Sequence, residues 1–211
     1  HLGFGNSVYA FLFGRDDGEY YRAAGVDLTW GPPLSARESF EFRAYAERHW
    51  DAPVESSFAL LHALDGSWTF RPNVIADEVN EVGAELRLSP WWGGEASRTQ
   101  FGLDLYGQVA SGRVTGGGTE RTGTNYARAS ATLRVAIPLV PRRWRLGVEA
   151  GLGTTFGDGT PQRQWFLGGA NTLRGYSAGS ARGSSFTRAR LNLARTFDDI
   201  GSVSVFGDAG W

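Results

Sequence analysis

Apolar and polar positions alternate along most of this chain, and the pattern recurs in about nine segments separated by turn-forming residues. From Leu2 to Phe13 one face reads Leu2, Phe4, Val8, Ala10 and Leu12, and the other Gly3, Gly5, Ser7 and Tyr9. Arg15-Asp16-Asp17-Gly18 then predicts a hairpin turn, as Asp-Gly pairs do. A second strand follows over residues 19–30, ended by Gly31-Pro32-Pro33, and a third over 39–48 sets Phe40, Phe42, Ala44 and Ala46 against Glu41, Arg43, Tyr45 and Glu47. The fourth pairs Val82, Ala84, Leu86 and Leu88 with Glu81, Gly83, Glu85 and Arg87; after a turn over 89–97, the fifth runs from Gln100 to Val109. The sixth is centred on 127–137 and turns at Pro138 to Arg142, the seventh on 144–153, the eighth on 187–193 and the ninth on 202–209, after a turn at Asp198-Asp199-Ile200.

Segments of this length match what a tilted strand needs to cross a bilayer core. The connections alternate in length, with long ones over about 49–80, 111–124 and 156–184, and a short helix is expected around residues 55–64. Short turns at one end and long loops at the other are the habit of outer-membrane barrels. Aromatic residues near segment ends, among them Tyr20, Trp30, Trp50, Trp91, Trp92 and Trp144, fit interfacial girdles. The expected fold class is therefore all-β, part of one antiparallel transmembrane β-barrel spanning 1–211; the alternative is a soluble antiparallel sheet with one wet face.

Composition narrows this further. With 30 Gly, 8 Trp, 7 Tyr and 13 Phe, the chain is rich in turn formers and strand-forming aromatics. It has no Cys, which removes disulfides and thiolate metal sites, and its three His are scattered, so no metal is expected. All 21 basic residues are Arg, but the net charge is -1, so no nucleic-acid partner is expected. No stretch approaches the roughly 18 apolar residues of a membrane helix. The chain starts at His1 rather than Met, so the lack of a signal segment carries no information, and an N-terminal part is expected to precede it.

The most distinctive stretch is Gly168-Gly169-Ala170-Asn171-Thr172-Leu173-Arg174-Gly175-Tyr176. So much Gly and Asn forbids regular structure, yet Trp165, Phe166, Leu167, Leu173 and Tyr176 accompany it, so the loop is expected to pack inside something. Asp208 shares the polar phase of its strand, so a loop folded into a lumen would bring the Arg174 guanidinium to a carboxylate in fork geometry. Polar-phase charges are sorted. Glu41, Glu47, Glu81, Glu85 and Asp104 lie on strands three to five, and Arg128, Arg134, Arg145, Arg188 and Arg190 on six to eight, with Glu149 among them. A field across the lumen that orients the loop or a passing chain, and plain cross-strand pairing in a wet pore, both fit this.

The run GGANTLRGY, followed by a strand, a turn and Phe206-Gly207-Asp208-Ala209-Gly210, resembles the signature of the bacterial surface antigen superfamily over residues 162–211. That superfamily includes outer-membrane protein insertases of the BamA and TamA types and two-partner secretion transporters. The resemblance implies a 16-stranded outer-membrane barrel of which this chain is strands five to thirteen, without the N-terminal periplasmic domains and last strands. It implies that the sixth outer loop folds into the lumen, where Gly168, Gly169, Leu173, Arg174, Gly175 and Tyr176 meet Asp208, flanked by Phe206 and Gly210. It further implies non-enzymatic insertion or translocation of unfolded outer-membrane or secreted polypeptides, in the bacterial outer membrane, among its lipids and with periplasmic accessory proteins. The family often carries a further acid on the strand after the loop; here that strand has Arg188, Arg190 and Asn192.

Rival readings are a barrel that anchors or exports an N-terminal enzyme such as a patatin-like lipase, and a small pore of unrelated function, against which an odd strand count speaks. Two enzyme motifs fail on context. Gly175-Tyr176-Ser177-Ala178-Gly179 has the Gly-x-Ser-x-Gly form, but His1, His49 and His62 all precede it. Gly151-Leu152-Gly153 lacks the third glycine and the helix of a dinucleotide loop, and is expected instead to make room on the wall for the inserted loop; no cofactor is expected.

Overall fold

The structure is a computed structural model that describes residues 4–13, 16, 18–33, 38–53, 58–65, 70–115, 123–140, 143–197 and 201–211. After a helix, α1 (Phe4–Phe13), the chain is all-β: β1 (Tyr21–Trp30), β2 (Ser39–Asp51), β3 (Val79–Ser89), β4 (Trp91–Trp92), β5 (Gln100–Val114), β6 (Thr124–Val140), β7 (Trp144–Gly157), β8 (Trp165–Leu167), β9 (Ala181–Gly183), β10 (Ser185–Phe197) and β11 (Gly201–Gly210). The long strands form one antiparallel meander in the order β1-β2-β3-β5-β6-β7-β10-β11, with β4 on β5 and a separate β8-β9 pair. Among the described residues the order ends on β1 and β11, each paired along one side. Among the described residues no helix is long and apolar enough to cross a membrane, which says nothing of strands.

The sheet is inverted relative to a water-soluble one. Its buried side chains are mostly polar: His49, Glu81, Glu85, Gln100, Gln108 and Thr132. Its exposed ones are large and apolar: Val26 and Leu28 on β1, Val82 on β3, Val109 on β5, Leu152 and Phe156 on β7, Val203 and Val205 on β11, the last 72% exposed. Because side chains alternate across a strand, one register places both sets, and the ladders keep them in phase. Val82 faces Ser111 and Ala46 across its two ladders, while Glu81 faces Gly112 and Glu47.

The two longest connections of the sheet share one end. Residues 52–78, 115–123 and 158–184 connect strands at one end, and 31–38, 90–99, 141–143 and 198–200 at the other. Trp30, Trp91, Trp92 and Trp144 all lie at the short-loop end.

Several expectations are corrected. The first alternating segment is α1, not a strand, so among the described residues there are eight long strands rather than nine. Phe4, Val8 and Leu12 also recur at helical spacing, and Phe11 packs on Phe58 with ring centroids 6.0 Å apart, which favours the helix. The odd-count objection to a small pore falls with it. Asp16 then caps a turn, accepting from the Gly18 N–H at 2.9 Å, rather than opening a hairpin; Arg15 and Asp17 lie outside the described residues, as does the Asp198-Asp199-Ile200 turn. Of the helix expected over 55–64, the described residues 58–64 form a single 3-10 turn at Leu60–His62, and 55–57 lie outside the described residues. β5 runs on to Val114, and β6 continues through Pro138 to Val140 with a register shift there, which accommodates a residue that lacks an N–H. The 89–97 turn contains β4, because Trp91 and Trp92 fold back onto Gly102 and Phe101.

Candidate functional site

Residues 158–184 cross the polar face of the sheet, and their contacts can be followed strand by strand. The segment leaves β7 at Gly157, whose φ of 85° only glycine adopts easily, and makes a 3-10 turn at Pro161–Arg163. The Gln162 side chain donates to the Asp77 carbonyl and accepts from the Asp77 N–H, both at 3.1 Å. Arg163 Nη2 then reaches Glu81 Oε1 at 2.7 Å. Trp165 lies over the middle of the sheet, against Phe186 (5.1 Å), Tyr106 (6.3 Å) and the Arg128 guanidinium (4.1 Å). β8 and β9 pair as the two arms of the loop, and the tip turns between them.

The tip sits on β10 and β11. Arg174 grips Asp208 with three donors: its backbone N–H to Oδ2 at 2.8 Å, Nε to Oδ2 at 2.9 Å, and Nη2 to Oδ1 at 2.5 Å. The Asp208 side chain is 1% exposed and that of Arg174 23%. The guanidinium also lies 4.1 Å from the Phe206 ring centroid, and Nη2 donates to the Leu191 carbonyl at 3.2 Å. The hydrogen bond to Asp208 raises the Arg174 pKa, opposed by a smaller loss of hydration. Gly168, Gly169 and Gly175 have φ of 114°, 83° and 88°, and the Thr172 hydroxyl ties the Gly168 N–H and carbonyl together.

The remaining wall residues divide into those that touch the tip and those that do not. Arg188 and Arg190 donate to the Asn171 carbonyl at 3.0 and 3.2 Å, and Arg190 to the Ala170 carbonyl at 3.2 Å. Glu149 holds them from β7, 2.8 Å from Arg188 and 3.7 Å from Arg190. Two arginines on β10 thus read loop carbonyls. Arg145 does not reach the tip; it donates to the Gln100 side-chain carbonyl. Leu173 is buried against Gly210, while Tyr176, expected to pack inside, is 57% exposed and contributes its carbonyl to the Gly169 N–H at 2.9 Å. Ser177 sits among turns, without the strand-to-helix elbow of a hydrolase.

Charge sorting resolves mainly into local pairs. Arg134 bridges Asp104 (2.8 Å) and Glu149 (3.4 Å), and Arg87 and Arg43 flank Glu85 at 3.2 and 3.8 Å. Gly153 and Gly151 make room less for the loop than for Phe186 and Arg188, the β10 side chains that in turn carry it. Sequence reading missed Arg163 and Gln162. Their only signal is position: an arginine just after Thr160-Pro161, ahead of an aromatic pair, in a chain whose fourth strand is acidic.

Gly210 gives a direct check of the seat. A Cβ there would lie 3.0 and 3.1 Å from the Leu173 methyls and 3.2 Å from the Thr187 carbonyl. Gly210→Val is expected to displace Leu173 and cost about 1–3 kcal/mol, the range for overpacking, measured by urea unfolding; an unchanged midpoint would mean the tip is not seated there. No protein-family model matches the sequence, and no curated protein matches it.

Proposed function

We propose that this chain is wall of a bacterial outer-membrane β-barrel, with residues 158–184 as a loop inserted in the lumen. The barrel serves non-enzymatic insertion or translocation of other polypeptides. The observation that carries the membrane reading is the inversion of the sheet: charged and amide side chains are covered, while valines, leucines and phenylalanines stand exposed on the other face. Water would penalise that face by roughly 25 cal/mol per Å² of apolar surface, and lipid would not. Strands of 10 to 17 residues are long enough to span, and the short-loop end carries tryptophans, as a membrane interface favours.

The loop supports the functional half of the reading. Its Arg-Gly-Tyr tip on a wall aspartate is the arrangement that the resemblance to the surface antigen superfamily implies. Counting back from β11 as the thirteenth strand, the eight long strands would be the sixth to thirteenth, and α1 would stand where the fifth is expected. Outer-membrane lipid would then contact the apolar face, and unfolded outer-membrane or secreted polypeptides, with periplasmic accessory proteins, would be the partners.

Two experiments test the two halves. Refolded into phospholipid vesicles containing brominated lipid, the chain is expected to show quenching of exposed Trp30 and Trp92. A monomer that stays soluble and folded without detergent, with no quenching, sinks the membrane reading. Sequencing the coding DNA beyond both ends tests the translocator: further alternating strands and repeat domains are expected, whereas a catalytic domain upstream would make the barrel an anchor.

A further inference from the structure

We propose that the loop has two anchors of unequal strength, and that Arg163 seated on Glu81 is the fixed one: a hinge about which the Arg174 tip swings off Asp208 while the stem stays in place. The proposal rests on the reading of the polar face as a lumen, but its contacts are those of the chain itself.

At the stem, three strands converge on one carboxylate. Glu81 of β3 has a side chain 0% exposed, and that of Arg163 is 8% exposed. Besides Arg163, Glu81 accepts from Tyr45 Oη of β2 at 2.7 Å and from Tyr126 Oη of β6 at 2.9 Å. Gln108 of β5 supports this group by donating to Tyr45 Oη at 2.8 Å, and Gly83, opposite Tyr45, leaves space for its ring. The Arg163 guanidinium lies 5.8 and 5.9 Å from the Tyr21 and Tyr45 ring centroids, and Gln162 adds the paired bonds to Asp77. Withdrawing Arg163 would leave the Glu81 carboxylate with two phenol donors and without the cation seated on it, the unfavourable outcome for a buried ion pair.

The tip is built differently. The Arg174 side chain is nearly three times as exposed as that of Arg163, and Asp208, though itself 1% exposed, keeps a second cation, Arg190, at 3.5 Å when Arg174 leaves. Between the two anchors lie Gly168 and Gly169 at positive φ, where the backbone turns without side-chain hindrance. In strand order the anchors stand on β3 and β11, with four strands between them, roughly 24 Å of sheet at about 4.8 Å per step. Local opening of the less buried end is therefore the easier motion. It would uncover Asp208, Arg188 and Arg190 and widen the lumen on the β10-β11 side only.

Hydrogen exchange of the full chain in detergent micelles, read by mass spectrometry, tests this. The stem is reported by the Arg163 and Gln164 amides, bonded to the Thr160 and Pro161 carbonyls, and the tip by those of Gly169 and Tyr176. Arg174→Gln is expected to speed tip exchange by about tenfold or more and leave the stem unchanged. Glu81→Gln is expected to speed both. If Arg174→Gln releases stem and tip together, the loop is one cooperative unit and the hinge is wrong. Should Glu81→Gln not fold, Tyr126→Phe removes one hydrogen bond to Glu81 and keeps the ring; faster stem exchange supports the hinge, and an unchanged stem overturns it. Lipid quenching is indifferent to these variants, so it separates failure of the hinge from failure of the membrane reading.

Discussion

Asp208→Ala is expected to be the most damaging single change at the loop tip, costing about 2–5 kcal/mol of barrel stability in urea unfolding, and Arg174→Ala distinctly less. The asymmetry follows from what each truncation leaves behind. Asp208 accepts three hydrogen bonds from Arg174, one of them from its backbone, and lies 3.5 Å from Arg190. Removing it takes the carboxylate from the Arg174 guanidinium, which keeps the Leu191 carbonyl, takes one of two carboxylates from Arg190, and leaves the Arg174 backbone N–H without that acceptor on a covered wall. Removing the Arg174 side chain leaves Asp208 with that same N–H and with Arg190. The Arg174→Ala, Asp208→Ala double variant should then cost less than the sum, with a coupling of about 0.5–3 kcal/mol. Strict additivity would mean that the contact carries no energy. The charge exchange, Arg174→Asp with Asp208→Arg, is expected to recover stability only in part. The new arginine would stand beside Arg188 and Arg190, and an aspartate at 174 cannot restore the backbone bond.

Much of this was legible in the sequence. Period-2 alternation located β1, β2, β3, β5, β6, β7, β10 and β11, because each strand has one dry and one wet face and a register slip would exchange them. The Arg174 to Asp208 contact was anticipated by the resemblance of the loop and strand motifs, with which the phase of Asp208 and a loop too apolar for solvent agreed. Three features were not. Residues 4–13 satisfy a period of 2 and a period of 3.6 almost equally, and the contact with Phe58 that selects the helix lies in a distant loop. Arg163 looked like any loop arginine, since its partner on β3 is 82 residues away and only the loop's path brings them together. Tyr176 looked like a buried aromatic, but it is 57% exposed and its carbonyl accepts from the Gly169 N–H. Side chains whose partners come from the chain's route, rather than from their own strand, leave no local pattern.

Leu152→Arg is expected to be nearly neutral in water and destabilising in a bilayer, and this makes it the sharpest test of what the exposed face meets. Leu152 is 57% exposed near the middle of β7, on the face opposite Glu149 and Gly151. In a water-soluble sheet, replacing an exposed leucine by arginine removes an apolar side chain from water; stability should change by less than about 0.5 kcal/mol and solubility should rise. In a bilayer the same guanidinium must snorkel or drag water inward, and a barrel loses about 2–4 kcal/mol for it near the midplane. Val205→Arg on β11, 72% exposed on the same face, should behave alike, whereas Thr132→Arg on the covered face would meet Arg188 and Glu149 across Gly151 and be destabilising in either medium. Equilibrium unfolding of the three variants in vesicles therefore gives a pattern rather than a single value. Loss in all three is the membrane result. Loss in Thr132→Arg alone would mean that the apolar face does not lie in lipid, and would return the protein to a soluble sheet.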